Sequence, residues 1–251
     1  MIRSFYKSGR SLVFFCGWLA LGLEFTACNS TGQSATLGQN VNAIHSDPPG
    51  TPDNPTSNTR VGDSCVTSDP NHICLGLKVV AYQDSAGVAT LSQAVAISDV
   101  QAINSVWNQC NLGFQINQFE QADPVHYGLS YQPANLSELN PIRSALDETN
   151  TLLVVITGPW NRTGTLGSTG ANAWTNMPGY GPFGAVLEKS VANYPNIIGH
   201  ELGHYLNLDH VSDTSNLMNP IIYTSSMQLS SGQCATARSA AASYWTAMKQ
   251  F

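Results

Sequence analysis

The sequence predicts an α+β domain over residues 61–251, a twisted mixed β-sheet with two helices, followed by a helix-ended half. Three observations carry this. Short apolar or alternating runs at 75–82, 114–120 and 151–158 read as strands. A helical-period stripe separates the first two. After residue 160 the chain turns rich in glycine and then closes on helical patterns.

"LGLKVVAY", 75–82, has the β-branched apolar content of a strand. In "SDVQAINSVWNQC", Asp99 is placed to cap a helix, and Val100, Ile103, Trp107 and Cys110 recur at helical spacing as a core stripe. "FQINQFE", 114–120, alternates as a half-buried strand does, and "TLLVVITG", 151–158, is a continuous apolar run that suits a central strand. "GTLGSTGANAWTNMPGYGPFG" is too rich in turns for a core element. "AVLEKS" is a short strand, and "CATARSAAASYWTAM" is a closing helix.

Composition narrows the functional classes. Hydrophobic residues make up 42% of 251, which is globular. The formal charge is −6, and no Lys/Arg cluster exists to follow a phosphate backbone, so no nucleic-acid partner is expected. A monomer is expected. Arg3, Lys7 and Arg10 precede the apolar run "SLVFFCGWLALGL", 11–23, which is short for a membrane span. Residues 1–27 therefore read as a signal peptide. "FTAC" resembles the end of a bacterial lipoprotein signal, with Phe25 where an aliphatic residue is usual. That resemblance implies lipidation of Cys28, with ordinary signal-peptidase cleavage and secretion as the alternative. Any membrane contact would run through that anchor. Residues 28–60, rich in Ser, Thr, Asn, Gly and Pro, read as a flexible tether, with His45 solvated in it.

Export permits disulfides. Cys65, Cys74, Cys110 and Cys234 allow three pairings. A local clip, Cys65–Cys74, and a long-range staple, Cys110–Cys234, are the favoured set.

The chemistry concentrates in "IIGHELGHYLNLDH", 197–210. His200 and His204, four residues apart on a helix, lie on one face and can hold one metal ion. Glu201, about 100° round, reaches a metal-bound water rather than the metal. Zinc suits neutral imidazoles and keeps an open position for catalysis. A third ligand is needed. No Glu follows Glu201, whereas His210 does, provided the helix ends between them. Asn207 is the residue placed to adopt the left-handed turn.

The string H-E-x-x-H-x-x-x-x-x-H, with Met218 in "SNLMNP" after it, resembles the metzincin metalloproteases, and "LMNP" is most similar to the matrixin branch. Asn207 departs from the family's glycine. The resemblance implies a zinc endopeptidase with His200, His204 and His210 as metal ligands, Glu201 as the catalytic base acting on a zinc-bound water, and Met218 as an apolar floor in a Met-turn. It also implies a protein or peptide substrate bound along a sheet edge. "GANAW" is the best candidate, which nominates Ala171, Asn172, Ala173 and Trp174, with ordinary packing an equal reading for Trp174. Pro220 and Tyr223 of "PIIY" would wall a side-chain pocket, one residue longer than the family's Pro-x-Tyr. Structural calcium is a family possibility with no site nominated. "GTPD", 50–53, lacks the cysteine of the family's inhibitory propeptide, so no cysteine switch is expected. His72 and His126 read as surface or packing residues. Two alternatives stand beside the protease: a non-catalytic zinc-containing surface binding protein, and a zinc hydrolase of a non-peptide amide.

Overall fold

The computed structural model describes residues 68–250, Val61, Cys65, and the backbone of two short strands, β1 (Phe25–Cys28) and β2 (Ser34–Leu37), which pair antiparallel. The expected leader and tether, with His45 and "GTPD", otherwise lie outside the described residues, as does the Cys28 side chain expected to carry lipid. No helix among the described residues is long and apolar enough to cross a membrane.

The domain is α+β, built on a mixed sheet. Its strands are β3 (Ile73–Tyr82), β4 (Leu112–Ala122), β5 (Leu152–Thr157), β6 (Ala173–Thr175) and β7 (Ala185–Glu188), in the spatial order β4-β3-β5-β7-β6. The first four in that order run parallel, and β6 closes the edge antiparallel to β7. A two-residue strand, β8 (Lys249–Gln250), pairs with the start of β3.

Strand alternation sorts the core into two layers. Leu75, Leu77, Val79 and Ala81 of β3, with Leu152, Val154 and Ile156 of β5, face a large cluster. That cluster receives helix α1 (Gln93–Trp107) and the later helix α4 (Pro195–Tyr205). Val80 and Tyr82, with Leu153 and Val155, face the opposite side and pack on α2 (Leu136–Leu146). Both faces of the central strands are therefore covered, which explains their continuous apolar runs. Residues 136–146 contain Pro141, which breaks the helical pattern in the sequence. The helix forms nonetheless, with the Asn135 N–H donating to Glu138 Oε1 at 3.1 Å across its first turn.

Disulfides join Cys65 to Cys74, ahead of and within β3, and Cys110 to Cys234, tying the end of α1 to α5 (Ser231–Ser243). His72 packs over Gly113 and its Nδ1 lies 2.7 Å from Asn111 Oδ1, while His126 is exposed.

The cap of α1 corrects an expectation. Ser92, not Asp99, is the N-cap, and its hydroxyl accepts from the Val95 N–H at 3.3 Å. The apolar stripe starts earlier, at Ala96, so the helix extends toward the N-terminus and carries Asp99 into its middle. There it is buried beside Leu77, Val79, Val154 and Ile198, with Oδ2 unpartnered. Burial pushes its carboxyl from 3.8 up to about 7.

The sign of the linkage follows. The unfolded chain loses this proton near 3.8 and the folded chain near 7, so the folded state binds the extra proton in between. Stability falls as pH rises through that window. Asp99→Asn is expected to match the parent below pH 4 and to exceed it above pH 7, by at most roughly 4 kcal/mol at about 1.4 kcal/mol per pH unit. Denaturant titrations at both pH values measure the difference. Equal gaps at the two would refute it.

Candidate metal centre and peptide-binding edge

Helix α4 starts with Pro195 at its first position, where no intrahelical N–H is needed, and is buried from Ile197 through Tyr205. It is held from several sides. The Trp107 indole N–H donates to Gly199 O at 3.2 Å, and the Trp245 indole donates to Tyr205 O at 2.7 Å. The Tyr205 hydroxyl donates to Leu153 O at 2.9 Å, fixing the helix to β5.

The helix stops at Leu206. Asn207 adopts φ +62, its N–H donates to His204 O at 3.0 Å, and the Leu208 N–H donates to Gly203 O at 3.0 Å. This pair of bonds is a Schellman closure with asparagine in the left-handed position. It reverses the chain and brings His210 back to the helix.

Three imidazoles then converge. His200 Nε2 lies 3.0 Å from His204 Nε2 and 3.1 Å from His210 Nε2. Among the described residues, this is the one cluster of His, Cys, Asp or Glu that can hold a metal ion. His200 Nδ1 donates to Leu217 O at 2.7 Å, and His204 Nδ1 donates to Leu208 O at 2.8 Å. A carbonyl only accepts, so the protons sit on Nδ1 and both Nε2 atoms present lone pairs. Burial holds all three rings below their ordinary value, His204 at about 4 and His210 at about 3, with neighbouring imidazoles adding to the effect on His200 and His210. Two lone pairs facing each other at 3.0 Å repel. A divalent cation shared between them relieves the repulsion, and neutral imidazoles are a donor set that zinc accepts. The residues fit the ion.

Met218 lies beneath the helix, fully buried. A Cβ built on Gly203 would stand 2.4 Å from Met218 Sδ, so the glycine is what allows the methionine to approach. On Gly199 the nearest atoms to such a Cβ are 3.7 Å away, an ordinary contact. The importance of Gly203 is invisible in sequence because it depends on a residue fifteen positions later.

Glu201 is wholly buried. Its Oε2 accepts from the Thr175 hydroxyl at 2.5 Å, and its Oε1 has no hydrogen-bond partner. Burial pushes the carboxyl up to about 8, opposed by the Thr175 bond and the Arg143 charge. Thr175 belongs to no motif in the sequence. Its signal is a polar residue at the end of an apolar strand.

β6 is narrower than the nominated edge. Ala171 and Asn172 precede it, and Asn172 is engaged elsewhere, its amide donating to Glu188 Oε2 at 2.6 Å. Glu188 N–H donates to Asn172 O at 2.8 Å, so Asn172 faces β7. Alternation then turns the main-chain groups of Ala173 and Thr175 away from β7 to the outer edge of β6, a strand that is buried here and that β1 and β2 also contact. Trp174 packs in the α2-side cluster, and its carbonyl accepts from Arg143 Nη2 at 2.5 Å. Arg143 Nε also donates to Gly184 O at 2.6 Å, locking the β6–β7 connection at both ends. Pro220 and Tyr223 lie half-buried after Met218, in a segment tied to the first turn of α4 by the Asn196 amide donating to Tyr223 O at 3.2 Å.

The matrixin family model matches residues 79–237 of this chain, a span that runs from within β3 through β4 to β7, the three imidazoles and Met218 into the first half of the closing helix. No curated protein matches it. Among solved structures, metalloproteinase-II from Bacteroides fragilis is similar at 14% identity and a TM-score of 0.46, over 72% of this chain and 57% of that one. The chain thus spans a little over half the length of that neighbour.

Two substitution pairs test the local geometry. Gly203→Ala is expected to displace Met218, lowering the melting temperature and weakening zinc binding in competition with a chromophoric chelator. Gly199→Ala is expected to be neutral or slightly stabilising, since alanine exceeds glycine in a helix by up to about 1 kcal/mol. Equal behaviour of the two would refute the packing argument. At the helix stop, Asn207→Gly is expected to keep stability and zinc binding, whereas Asn207→Val costs on the order of 1–2 kcal/mol. Chemical denaturation of both variants checks this.

Proposed function

The chain belongs to the matrixin family of metallopeptidases, and from that premise we propose that it is an exported zinc endopeptidase, carried by a signal peptide and anchored through lipid on Cys28. His200, His204 and His210 hold the zinc, Glu201 is the general base, and an extended peptide pairs with the outer edge of β6. The observation that carries the reading is the pairing of the imidazole cluster with a buried carboxyl, one of whose oxygens is free.

A zinc ion in this site would supply Lewis acidity, both to a water molecule and to the scissile carbonyl. The chain's own residues do the rest. Glu201 Oε1 takes the proton of the attacking water and returns it to the leaving amine nitrogen. Nδ1 bonds to Leu217 O and Leu208 O keep the His200 and His204 rings aimed inward throughout. The main-chain groups of Ala173 and Thr175 supply the hydrogen bonds for β-strand addition of the substrate. Met218 keeps water from beneath the rings. A binding protein that kept zinc only for structure would have no use for the Glu201 carboxylate.

Cleavage of a peptide library is expected to stop with chelator and return with added zinc. Glu201→Gln is expected to lose activity by about 10²- to 10⁴-fold while keeping its zinc. Full activity in that variant would sink the mechanism, and a zinc stoichiometry near zero in the parent would sink the site.

A further inference from the structure

Resting on the zinc-endopeptidase reading above, we propose that Thr175 is a positioning residue that aligns the general base with the bound peptide. Two facts about this one residue carry the inference. Its main-chain groups point away from β7 to the outer edge of β6, where a substrate strand would pair in exchange for the contacts that β1 and β2 make with that strand. Its hydroxyl donates to Glu201 Oε2 at 2.5 Å, reaching from the sheet to α4 across 26 positions of sequence. The same residue thus contacts the peptide and the group that acts on it.

A glutamate carboxylate turns almost freely about its last torsion, whose preferences are broad and two-fold. A hydroxyl has one proton to give. Once Thr175 gives it to Oε2, the two carboxylate oxygens are no longer equivalent, and Oε1 is the one left to take a proton. The hydroxyl itself has little freedom. Thr175 is fully buried, and branching at Cβ restricts its first torsion. Its strand cannot drift either, because Arg143 grips the preceding carbonyl of Trp174 and the Gly184 carbonyl leading into β7. The distance from the paired peptide to the selected oxygen is therefore set within one residue.

The alternative is that the bond merely satisfies two buried polar groups. Steady-state kinetics on the zinc-loaded enzyme, using a peptide cleaved in the library, separate the two. Thr175→Val keeps the shape and removes the proton. It is expected to lower kcat by about 10- to 100-fold with KM nearly unchanged and zinc content intact. Thr175→Ser restores the hydroxyl and is expected to recover most of the lost rate. If the Val variant does not fold, Thr175→Ala set against Thr175→Ser makes the same comparison. A folded, zinc-loaded variant without the hydroxyl that keeps the parent kcat overturns the proposal. So does a loss that only tracks zinc content or folded fraction and that serine does not repair. If Glu201→Gln in the same assay is as active as the parent, or the parent cleaves no peptide, the peptidase reading falls and takes the proposal with it. Retained parent activity with a dead Glu201→Gln and an unaffected Thr175→Val removes the Thr175 role alone.

Discussion

Two imidazole lone pairs held 3.0 Å apart inside a protein are a demanding arrangement, and most of this fold answers to it. Helix α4 alone places His200 and His204 side by side. It cannot deliver His210, because a continuing helix would carry that residue away from the ligand face. The left-handed Asn207 solves this by ending the helix within one residue. The Met-turn segment then contributes twice, since the Leu217 carbonyl orients His200 and the Met218 side chain fills the space under Gly203. Each of these groups is buried, so each must have its partner; a ring with no acceptor for Nδ1 would leave a polar group stranded at a cost of about 1–3 kcal/mol.

Against α4 lies the edge strand of the sheet. β6 has three residues, too few to hold its place by pairing with β7 alone. Arg143 supplies the missing restraint from beneath, donating to the Trp174 carbonyl of β6, to the Gly184 carbonyl just ahead of β7, and to Asn140 at 2.9 Å. Burying a guanidinium is expensive, and lining it with carbonyls satisfies its donors without cancelling its charge. That charge remains to act on Glu201, whose carboxylate form it favours. A second network, in which Glu188 accepts from Asn172, Arg162 and the Trp160 main chain, fixes the approach to the same strand.

The readable parts of the sequence were those whose physics is local. The H-E-x-x-H spacing needs only a helical turn, and the stop at Asn207 needs only the tolerance of asparagine for positive φ. β3 and β5 announce themselves as buried on both faces. What escaped depends on distant partners. Thr175 matters because of Glu201, Gly203 because of Met218, and Arg143 because of two carbonyls beyond residue 170. α2 was hidden by Pro141, a local signal that tertiary packing overrode. Asp99 misled for the opposite reason. An aspartate ahead of an apolar stripe looks like a cap, and only the earlier start of that stripe shows that it is not one.

The last strand, β8, lies beside the first residues of β3, and Cys234 reaches back to Cys110 across 124 positions. The sheet's earliest strand in sequence therefore completes its ladder with residues far along the chain. Contacts this remote in sequence make for slow, late-closing folding. The three imidazoles follow all five strands β3 to β7 in sequence, and the tryptophans that brace their helix come from α1 and from the segment after α5. A chain folded only as far as β7 thus has neither the imidazole cluster nor the full frame that holds it.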